Sequence, residues 1–324
     1  MKREPFIASR QGRWTELRRR IDRKRGVGVE PRSRRGDPEF PALYRGICHD
    51  LALAKKRHYG AELVERLNTL ALRGREQLYR RRQRPLRVLS TFVFETFPRT
   101  VRAQGRTLLL AIAVFYGLGA FMFVCARTWP TLVEELVTPE QLAEMEEMYD
   151  GNSSTSHPRR LSTSIEAFGF YVQHNTSIGF RTFAGGLFFG VGAFLLLAYN
   201  GLAIGSILGH LSAVGLGGTL WPFVVTHGAL ELNAIVLSGV AGFRLGLGLL
   251  APGRRSRAGM LRAIGPECSV LIGGAALMFI GAAFIEPFWS PAAIHPVIRI
   301  IVGALLWALV LFYFGFAGTA SKRA

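Results

Sequence analysis

The stretch Trp221–Leu250, WPFVVTHGALELNAIVLSGVAGFRLGLGLL, decides the fold of this chain. It is longer than the ~20 residues that a helix needs to cross a bilayer, and it is almost free of charge. It nevertheless contains His227 and Glu231, which lie one helical turn apart on the same face. Because an ionisable group costs on the order of 3 kcal/mol or more at the centre of a bilayer, we expect both side chains to face a protected interior.

The composition of the whole chain also indicates an integral membrane protein, because 49% of its 324 residues are hydrophobic. Residues 1–106 hold 28 of the 40 lysines and arginines and 11 of the 22 acidic residues, whereas residues 107–324 hold every long apolar run. The first 25 residues are polar and rich in arginine, with no apolar signal-peptide core, so the N-terminus is expected to stay in the cytoplasm. The three scattered cysteines favour neither a disulfide framework nor a CxxC metal site.

Residues 1–84 are predicted to form a cytosolic, basic bundle of three amphipathic helices. The second helix is predicted to begin at Asp37-Pro38, an N-cap followed by a first-turn proline. The apolar stripes are Trp14, Leu17 and Ile21, then Phe40, Leu43, Tyr44, Ile47 and Leu51, then Leu63, Leu67, Leu70, Ala71 and Leu78.

Residues 85–106 predict an amphipathic helix in the plane of the inner leaflet. Arg99, Arg102 and Arg106 would then lie among anionic lipid head groups. A fourth helix of the cytosolic bundle is the alternative interpretation.

The rest of the chain predicts an all-α fold, a polytopic transmembrane bundle of about six spans. The candidate spans are Leu108–Ala126, Phe183–Tyr199, Leu202–Leu220, Pro222–Leu250, Val270–Ile285 and Ile298–Phe316. Five spans remain open, because Leu202–Leu220 is short and rich in glycine and could re-enter the membrane without crossing it. The domains that follow the amphipathic helix are a first transmembrane helix at 107–126, an acidic extracytoplasmic loop at 127–182, a glycine-rich transmembrane bundle at 183–318 and a tail at 319–324.

Within the acidic loop, an amphipathic segment that begins near Leu161 is expected on the outer surface. The protein is expected in the cytoplasmic membrane. With six spans, the positive-inside rule places both of its termini in the cytoplasm. Arg254 and Arg255 would then contact lipid head groups on the same side.

Glycines recur at four-residue spacing, which puts each set on one helix face and allows close helix contact. The sets are Gly186 and Gly190, then Gly201, Gly205 and Gly209, then Gly242 and Gly246. Packing within one chain and packing between identical chains are both compatible with this pattern, so a homo-oligomer stays open.

The candidate intramembrane polar site consists of His227, Glu231, Asn200, His210 and Glu286. A buried pair that holds two helices together is one interpretation, and a proton or ion path is another. A metal site would need a third ligand from His210, His174 or Glu286. His174 and Asn175 form a further extracytoplasmic motif, and no metal or cofactor is expected.

The motifs of several function classes are missing from the sequence. Neither GxSxG nor HExxH occurs, so an enzyme is not favoured, and an intramembrane metalloenzyme is the least favoured of three hypotheses. Zinc-finger spacing and RNP-like motifs are also missing, so nucleic acid is not an expected partner. Anionic lipid already accounts for the arginines.

The chain resembles the stage II sporulation protein M family of membrane proteins over nearly its whole length. The specific elements are Asn200-Gly201 and His227-Gly228 with Glu231-Leu232. Two departures concern Thr226, where the family often has proline, and Pro287, where glycine is common after the glutamate. The other matching residues are Glu4-Pro5-Phe6-Ile7, Trp14, Leu17, Phe97-Pro98, Arg102, Asn175, Phe180, Phe183, Gly185, Gly190, Gly205, Ala234, Gly239, Gly242, Gly246, Pro252-Gly253, Arg254, Gly281 and Glu286.

The resemblance implies a membrane scaffold or assembly factor that organises envelope partners by binding. Its expected partners are anionic lipids and membrane or envelope proteins, such as cell-wall hydrolases or a MoxR-type ATPase system. A role in sporulation does not follow, because most relatives belong to bacteria that form no spores. The alternative from another function class is a transporter or channel with a polar site at His227 and Glu231.

Overall fold

The computed structural model describes residues 3–23, 39–79, 85–129, 131–150, 161–290 and 294–319, which form helices and turns without a strand among them. The all-α prediction is confirmed. The chain divides into two compact units, Met1–Pro85 and Leu86–Ala324. That division falls next to the predicted domain boundary at residue 84.

The first unit contains three helices whose apolar faces form one core. These helices are α1 (Arg3–Arg23), α2 (Phe40–Lys56) and α3 (Ala61–Tyr79). The predicted stripes supply this core, since Trp14, Leu17, Ile47 and Leu67 are at most 1% exposed. The predicted N-cap at Asp37-Pro38 lies outside the described residues.

A buried carboxylate, which sequence reasoning missed, links the first two helices. The side chain of Asp50 is fully buried and accepts a 2.8 Å hydrogen bond from the indole Nε1 of Trp14. It also forms an ion pair with Arg10. A charge in this position is tolerated because both carboxylate oxygens have partners.

The second unit consists of eleven described helices, two pairs of which are joined by π-helical turns at Phe92–Thr96 and Ala113–Gly117. The helices are α4 (Pro85–Thr91), α5 (Phe97–Ala103), α6 (Gly105–Ile112), α7 (Leu118–Thr128), α8 (Thr131–Glu134), α9 (Pro139–Tyr149), α10 (Leu161–Gly185), α11 (Val191–Ala213), α12 (Gly217–Leu250), α13 (Arg257–Phe288) and α14 (Pro296–Phe316).

Five of the described helical segments are long and apolar enough to cross a membrane, so this is a polytopic membrane protein. They are Gly105–Thr128, which joins α6 to α7, and the four helices α11 to α14. α12 is the central helix, because 78% of its most apolar 18 residues are buried, compared with 11% for α14. The stretch Trp221–Leu250 is therefore the core of the bundle.

α10 runs alongside these helices although it is more polar than they are. At one end the ring of Phe168 packs against that of Phe288, with 6.3 Å between their centroids. Further along, a Cβ atom on Gly179 would lie 2.8 Å from the hydroxyl of Ser238 and against the ring of Phe279. α10 thus follows α12 and α13 through the bundle, beside the five apolar segments.

The predicted spans Phe183–Tyr199 and Leu202–Leu220 are wrong. A turn after Gly185 separates α10 from α11, with positive φ angles at Phe189 and Gly190. Residues of both predicted spans then share the single helix α11. Apolarity alone concealed this turn, because its residues are as hydrophobic as those of the helices beside it.

The prediction that the segment from Leu161 lies on the outer surface is also wrong. α10 packs along α13, α12 and α11. The buried side of α10 is small or weakly polar, and this composition resembles that of a surface helix. Its buried residues are Ser164, Asn175, Gly179, Thr182 and Gly185.

The predicted glycine sets lie at close contacts within the chain. A Cβ atom on Gly205 would overlap the carbonyl oxygen of Gly119, and one on Gly209 would come within 2.6 Å of the carbonyl oxygen of Phe123. Gly186 meets Gly242 in the same way. The remaining close pairs are Gly201 with Phe115 and Gly246 with Gly190. These contacts support the intrachain interpretation of the pattern.

The segment before the first span is fastened to the end of α14. Arg102 donates hydrogen bonds of 2.8 and 2.6 Å to the carbonyl oxygens of Phe314 and Ala317, and Arg99 donates to that of Gly318 at 2.5 Å. These bonds hold both guanidinium groups at the end of α14, and the contact of Arg99 and Arg102 with lipid head groups stays a prediction. Arg106 is exposed, as are Arg254 and Arg255.

Candidate functional site

Three ionisable side chains meet inside the bundle. His227 and Glu231 lie four residues apart on α12, and Glu286 reaches them from the last turn of α13. One potential ligand atom from each residue lies within 4.8 Å of the other two. His227 is 7% exposed and Glu286 9% exposed. The helical spacing places the first two together, and the antiparallel packing of α13 adds the third.

Aromatic rings cover one side of this cluster. The ring of Phe223 meets that of His227 edge-on at 5.3 Å, and the ring of Tyr149 meets that of Phe223 at 5.6 Å. Burial raises the pKa of the Tyr149 hydroxyl far above its usual value, and the neighbouring Glu286, Tyr171 and Glu231 add to the shift. α9 therefore closes the cluster at one end of the bundle.

The residue before the histidine fixes the local geometry. Thr226 is fully buried, and its hydroxyl donates to the carbonyl oxygen of Phe223 at 3.2 Å and shares a 3.3 Å hydrogen bond with that of Ser290. α12 runs through this position without a break. Pro287 lies inside the last turn of α13, which ends at Phe288. The two departures from the family pattern thus leave both helices intact around the cluster.

Several buried side-chain nitrogens of the second unit have no hydrogen-bond partner among the described residues, and two of them lie on α10 and α12. One is Nδ1 of His227, and the other is Nδ2 of Asn175, a side chain that is 3% exposed. Asn175 precedes Gly179 by one turn on the same face of α10, so it faces α12 and α13. Buried polar groups without partners are rare in folded proteins and indicate a bound water or ion when they occur together.

The structure does not bring the other predicted polar residues into this cluster. Asn200 donates its amide to the carbonyl oxygen of Leu196, one turn back on α11, at 2.7 Å. His210 lies 2.6 Å from a carboxylate oxygen of Glu146 on α9. His174 is exposed, and its ring stacks on Phe170 at 5.5 Å.

Beside the cluster, α12 also borders an apolar cavity. The cavity has a volume of about 340 Å³ and lies between α12, α11 and the first span. Its wall includes Trp221 and Leu232 of α12 and Tyr116 and Phe123 of the first span. None of the three cluster residues belongs to this wall.

A polar stripe runs along the outward face of α10. Its polar members are three, four or seven residues apart, with the exposed ring of Phe170 on the same face among them. They are Glu166, Gln173, His174, Ser177 and Arg181. All except the half-buried Ser177 are exposed in the described part of the chain. At the level of Gln173 and His174, α13 exposes Ile280 and Phe284. The middle of the stripe therefore lies at the depth of lipid-facing apolar residues.

Most of the chain matches known families in two separate regions. Residues 107–291 match the family described as Stage II sporulation protein M, and residues 4–80 match one described as a domain of unknown function (DUF8413). Over 99 residues the chain is 30% identical to the uncharacterized protein MJ0793 of Methanocaldococcus jannaschii, which covers 29% of this chain and 56% of that protein. No solved structure matches the chain.

Proposed function

Since the chain belongs to the stage II sporulation protein M family, we propose that it is an integral membrane scaffold that organises envelope partners by binding and without catalytic turnover. The observation that carries this proposal is the polar stripe on the outward face of α10. A membrane helix with such a face needs a protein neighbour, because lipid tails offer its polar side chains no hydrogen bonds.

The occupant that fits this face is a transmembrane helix of a partner protein with hydrogen-bonding side chains at the same depth. Glu166 and Arg181 lie near the two ends of α10, where they reach the membrane interfaces. Gln173 and His174 lie between them, beside the apolar residues of α13. These two side chains therefore supply the hydrogen bonds that select a polar partner helix over lipid.

Close packing of helices at glycines suits a scaffold, because direct contacts between the helix backbones restrict sliding of one helix along another. Gly205 meets Gly119, and Gly242 meets Gly186, at separations that leave no space for a side chain. The rigid bundle would hold the docking face of α10 in one orientation. The partner proteins we expect are cell-wall hydrolases or components of a MoxR-type ATPase system, and the basic first unit and anionic lipid would anchor the assembly.

Site-specific photocrosslinking in native membranes tests the docking face. A photoreactive phenylalanine at position 173 or 177 should give a crosslink to one defined protein. The matched control carries the same group at Leu305 or Leu309, which are exposed on α14, and should give lipid adducts. The double variant Gln173→Leu and His174→Leu should lose at least about nine-tenths of the protein crosslink, monitored from Ser177, while its thermal stability in detergent stays unchanged.

Lipid adducts alone at positions 173 and 177 would contradict the proposal. So would a protein crosslink that survives the double variant. Mass spectrometry of the crosslinked product distinguishes a second copy of this chain from a different envelope protein, and only the latter agrees with a scaffold for envelope partners.

Transport is the second candidate function, and the geometry favours it less. A path would need the polar residues in line, but Asn200 and His210 bind elsewhere and the neighbouring cavity is lined by apolar side chains. Ion or proton flux into proteoliposomes that falls at least about tenfold with Glu231→Gln would favour the transporter. Flux that equals the protein-free background would remove it.

A further inference from the structure

We propose that His227, Glu231 and Glu286 bind one divalent transition-metal ion, with Zn²⁺ as the best match. The three potential ligand atoms already lie within 4.8 Å of one another. In a tetrahedral zinc site with bonds near 2.1 Å, ligand atoms are about 3.4 Å apart. A small rotation of the two glutamate side chains closes this difference, because each has three rotatable bonds.

The charges of the cluster favour a cation with two positive charges. Two carboxylates that share a buried site repel each other and lose the solvation of water. A divalent ion with a neutral imidazole and two ionised glutamates has no net charge. Removing that net charge makes the cluster compatible with a low-dielectric interior at the end of a membrane bundle.

The donor atoms select the kind of metal. Imidazole nitrogen suits zinc, iron, copper and nickel, whereas magnesium and calcium prefer a sphere made only of oxygen. The Nδ1 atom of His227 is buried and has no partner among the described residues, so a ring nitrogen remains for an ion. Three protein ligands leave one position of a tetrahedral site for water or another small ligand.

The cluster also joins two helices in a way that an ion would strengthen. His227 and Glu231 belong to α12, and Glu286 belongs to α13. Pro287 follows the third ligand directly, and the ring cannot donate a hydrogen bond to the preceding turn of α13. A metal bridge would fasten this weakened end of α13 to the central helix.

Metal titration of the full-length chain, purified in detergent without a histidine tag, tests the inference. After chelator treatment, the wild type should bind one Zn²⁺ per chain by elemental analysis, and Co²⁺ should give the visible absorption of a four-coordinate site. His227→Gln, Glu231→Gln and Glu286→Gln should each weaken Zn²⁺ binding by at least about 100-fold, the upper range for loss of a group that only supports a ligand.

His210→Gln is the matched control, since His210 lies in the same bundle but pairs with Glu146. It should keep the wild-type affinity. Size-exclusion chromatography shows which variants fold, and the wild-type titration decides the matter even if all three fail. A wild type that binds no Zn²⁺ or Co²⁺ would overturn the inference and would mean that protons, and not a metal ion, neutralise the two carboxylates. Binding by a variant with all three substitutions that equals binding by the wild type would also overturn it.

Discussion

Asp50 shows how a single residue can hold a small helical unit together. Its buried carboxylate accepts a hydrogen bond from Trp14 and pairs with Arg10. Asp50→Ala should destabilise the first unit by about 3 kcal/mol, because it leaves the indole N–H and a guanidinium without their partner. Hydrogen exchange of the α1 to α3 amides in the full-length chain should then be about 100-fold faster. Glu65→Ala, at an exposed position of α3, should leave the exchange unchanged, and equal exchange in the two variants would contradict this account.

Gly205 lies at one of the tightest backbone contacts in the membrane bundle. A Cβ atom there would overlap the backbone carbonyl of Gly119, which has no flexible end to move aside. Gly205→Ala should therefore cost about 1–3 kcal/mol and lower the midpoint of thermal unfolding in detergent. Gly265→Ala is the control, because a Cβ atom at that helical position meets nothing within 4 Å. A stability of Gly205→Ala equal to that of the control would show that the helices separate readily.

The sequence predicted part of the candidate site from the chemistry of its residues. His227 and Glu231 could be paired from sequence because a spacing of four fixes one helix face. Glu286 could be named as a costly residue near a span end, but its meeting with α12 depends on how α13 rotates and docks. Asn200 and His210 were both candidates for the polar site, and the rotation of α11 directs them to other partners. Nothing in the sequence assigned Tyr149 to the site, since a tyrosine at the end of an acidic helix is common.

At the scale of elements, the end of α14 depends on an arginine from another segment. The last carbonyl groups of a helix lack partners within the helix, and Arg102 supplies hydrogen bonds to two of them, Phe314 and Ala317. Its positive charge also complements the negative end of the helix dipole. Arg102→Gln should remove about 1.5–3 kcal/mol of this local stabilisation, the range for hydrogen bonds to charged groups.

The measurement is hydrogen exchange in the last turn of α14, which should become at least about tenfold faster in Arg102→Gln. Arg106→Gln serves as the control, because Arg106 is exposed at the start of the first span. Exchange that rises equally in both variants would mean that the loss of a positive charge matters and the direct contact does not.

The element boundaries show what the sequence could predict. The C-terminal ends of α13 and α14 and the existence of α12 were predictable because long apolar runs stop at proline, glycine or arginine. The start of α13 was not, since the predicted span Val270–Ile285 leaves out the residues between Arg257 and Val270. The turn between α10 and α11 was not, because it consists of Gly186–Gly190 and uses apolar residues throughout. The position of α10 was not predicted for the opposite reason. Its middle is polar, and a polar segment did not indicate a helix that packs along the bundle.

At the scale of the whole molecule, the two ends of the second unit carry opposite charges. The end that holds the start of the first span, the end of α14 and the turn after α12 is basic, whereas α8 and α9 at the other end are acidic. The basic residues are Arg99, Arg102, Arg254, Arg255 and Arg257, and the acidic ones are Glu134, Glu135, Glu140, Glu144, Glu146, Glu147 and Asp150. The positive-inside rule therefore predicts that the basic end faces the cytoplasm.

This topology predicts that α10 is a sixth crossing. Arg102 binds the end of α14, so both ends of the second unit are expected on one side of the membrane, which favours an even number of crossings. Single cysteines introduced into a cysteine-free chain, labelled with a membrane-impermeant maleimide, test the topology. Thr319→Cys and Arg255→Cys should react only in inside-out vesicles, and Val214→Cys and Glu144→Cys only in intact spheroplasts. Labelling of Glu144→Cys and Val214→Cys from opposite sides would mean that α10 lies along the surface and that the bundle crosses the membrane five times.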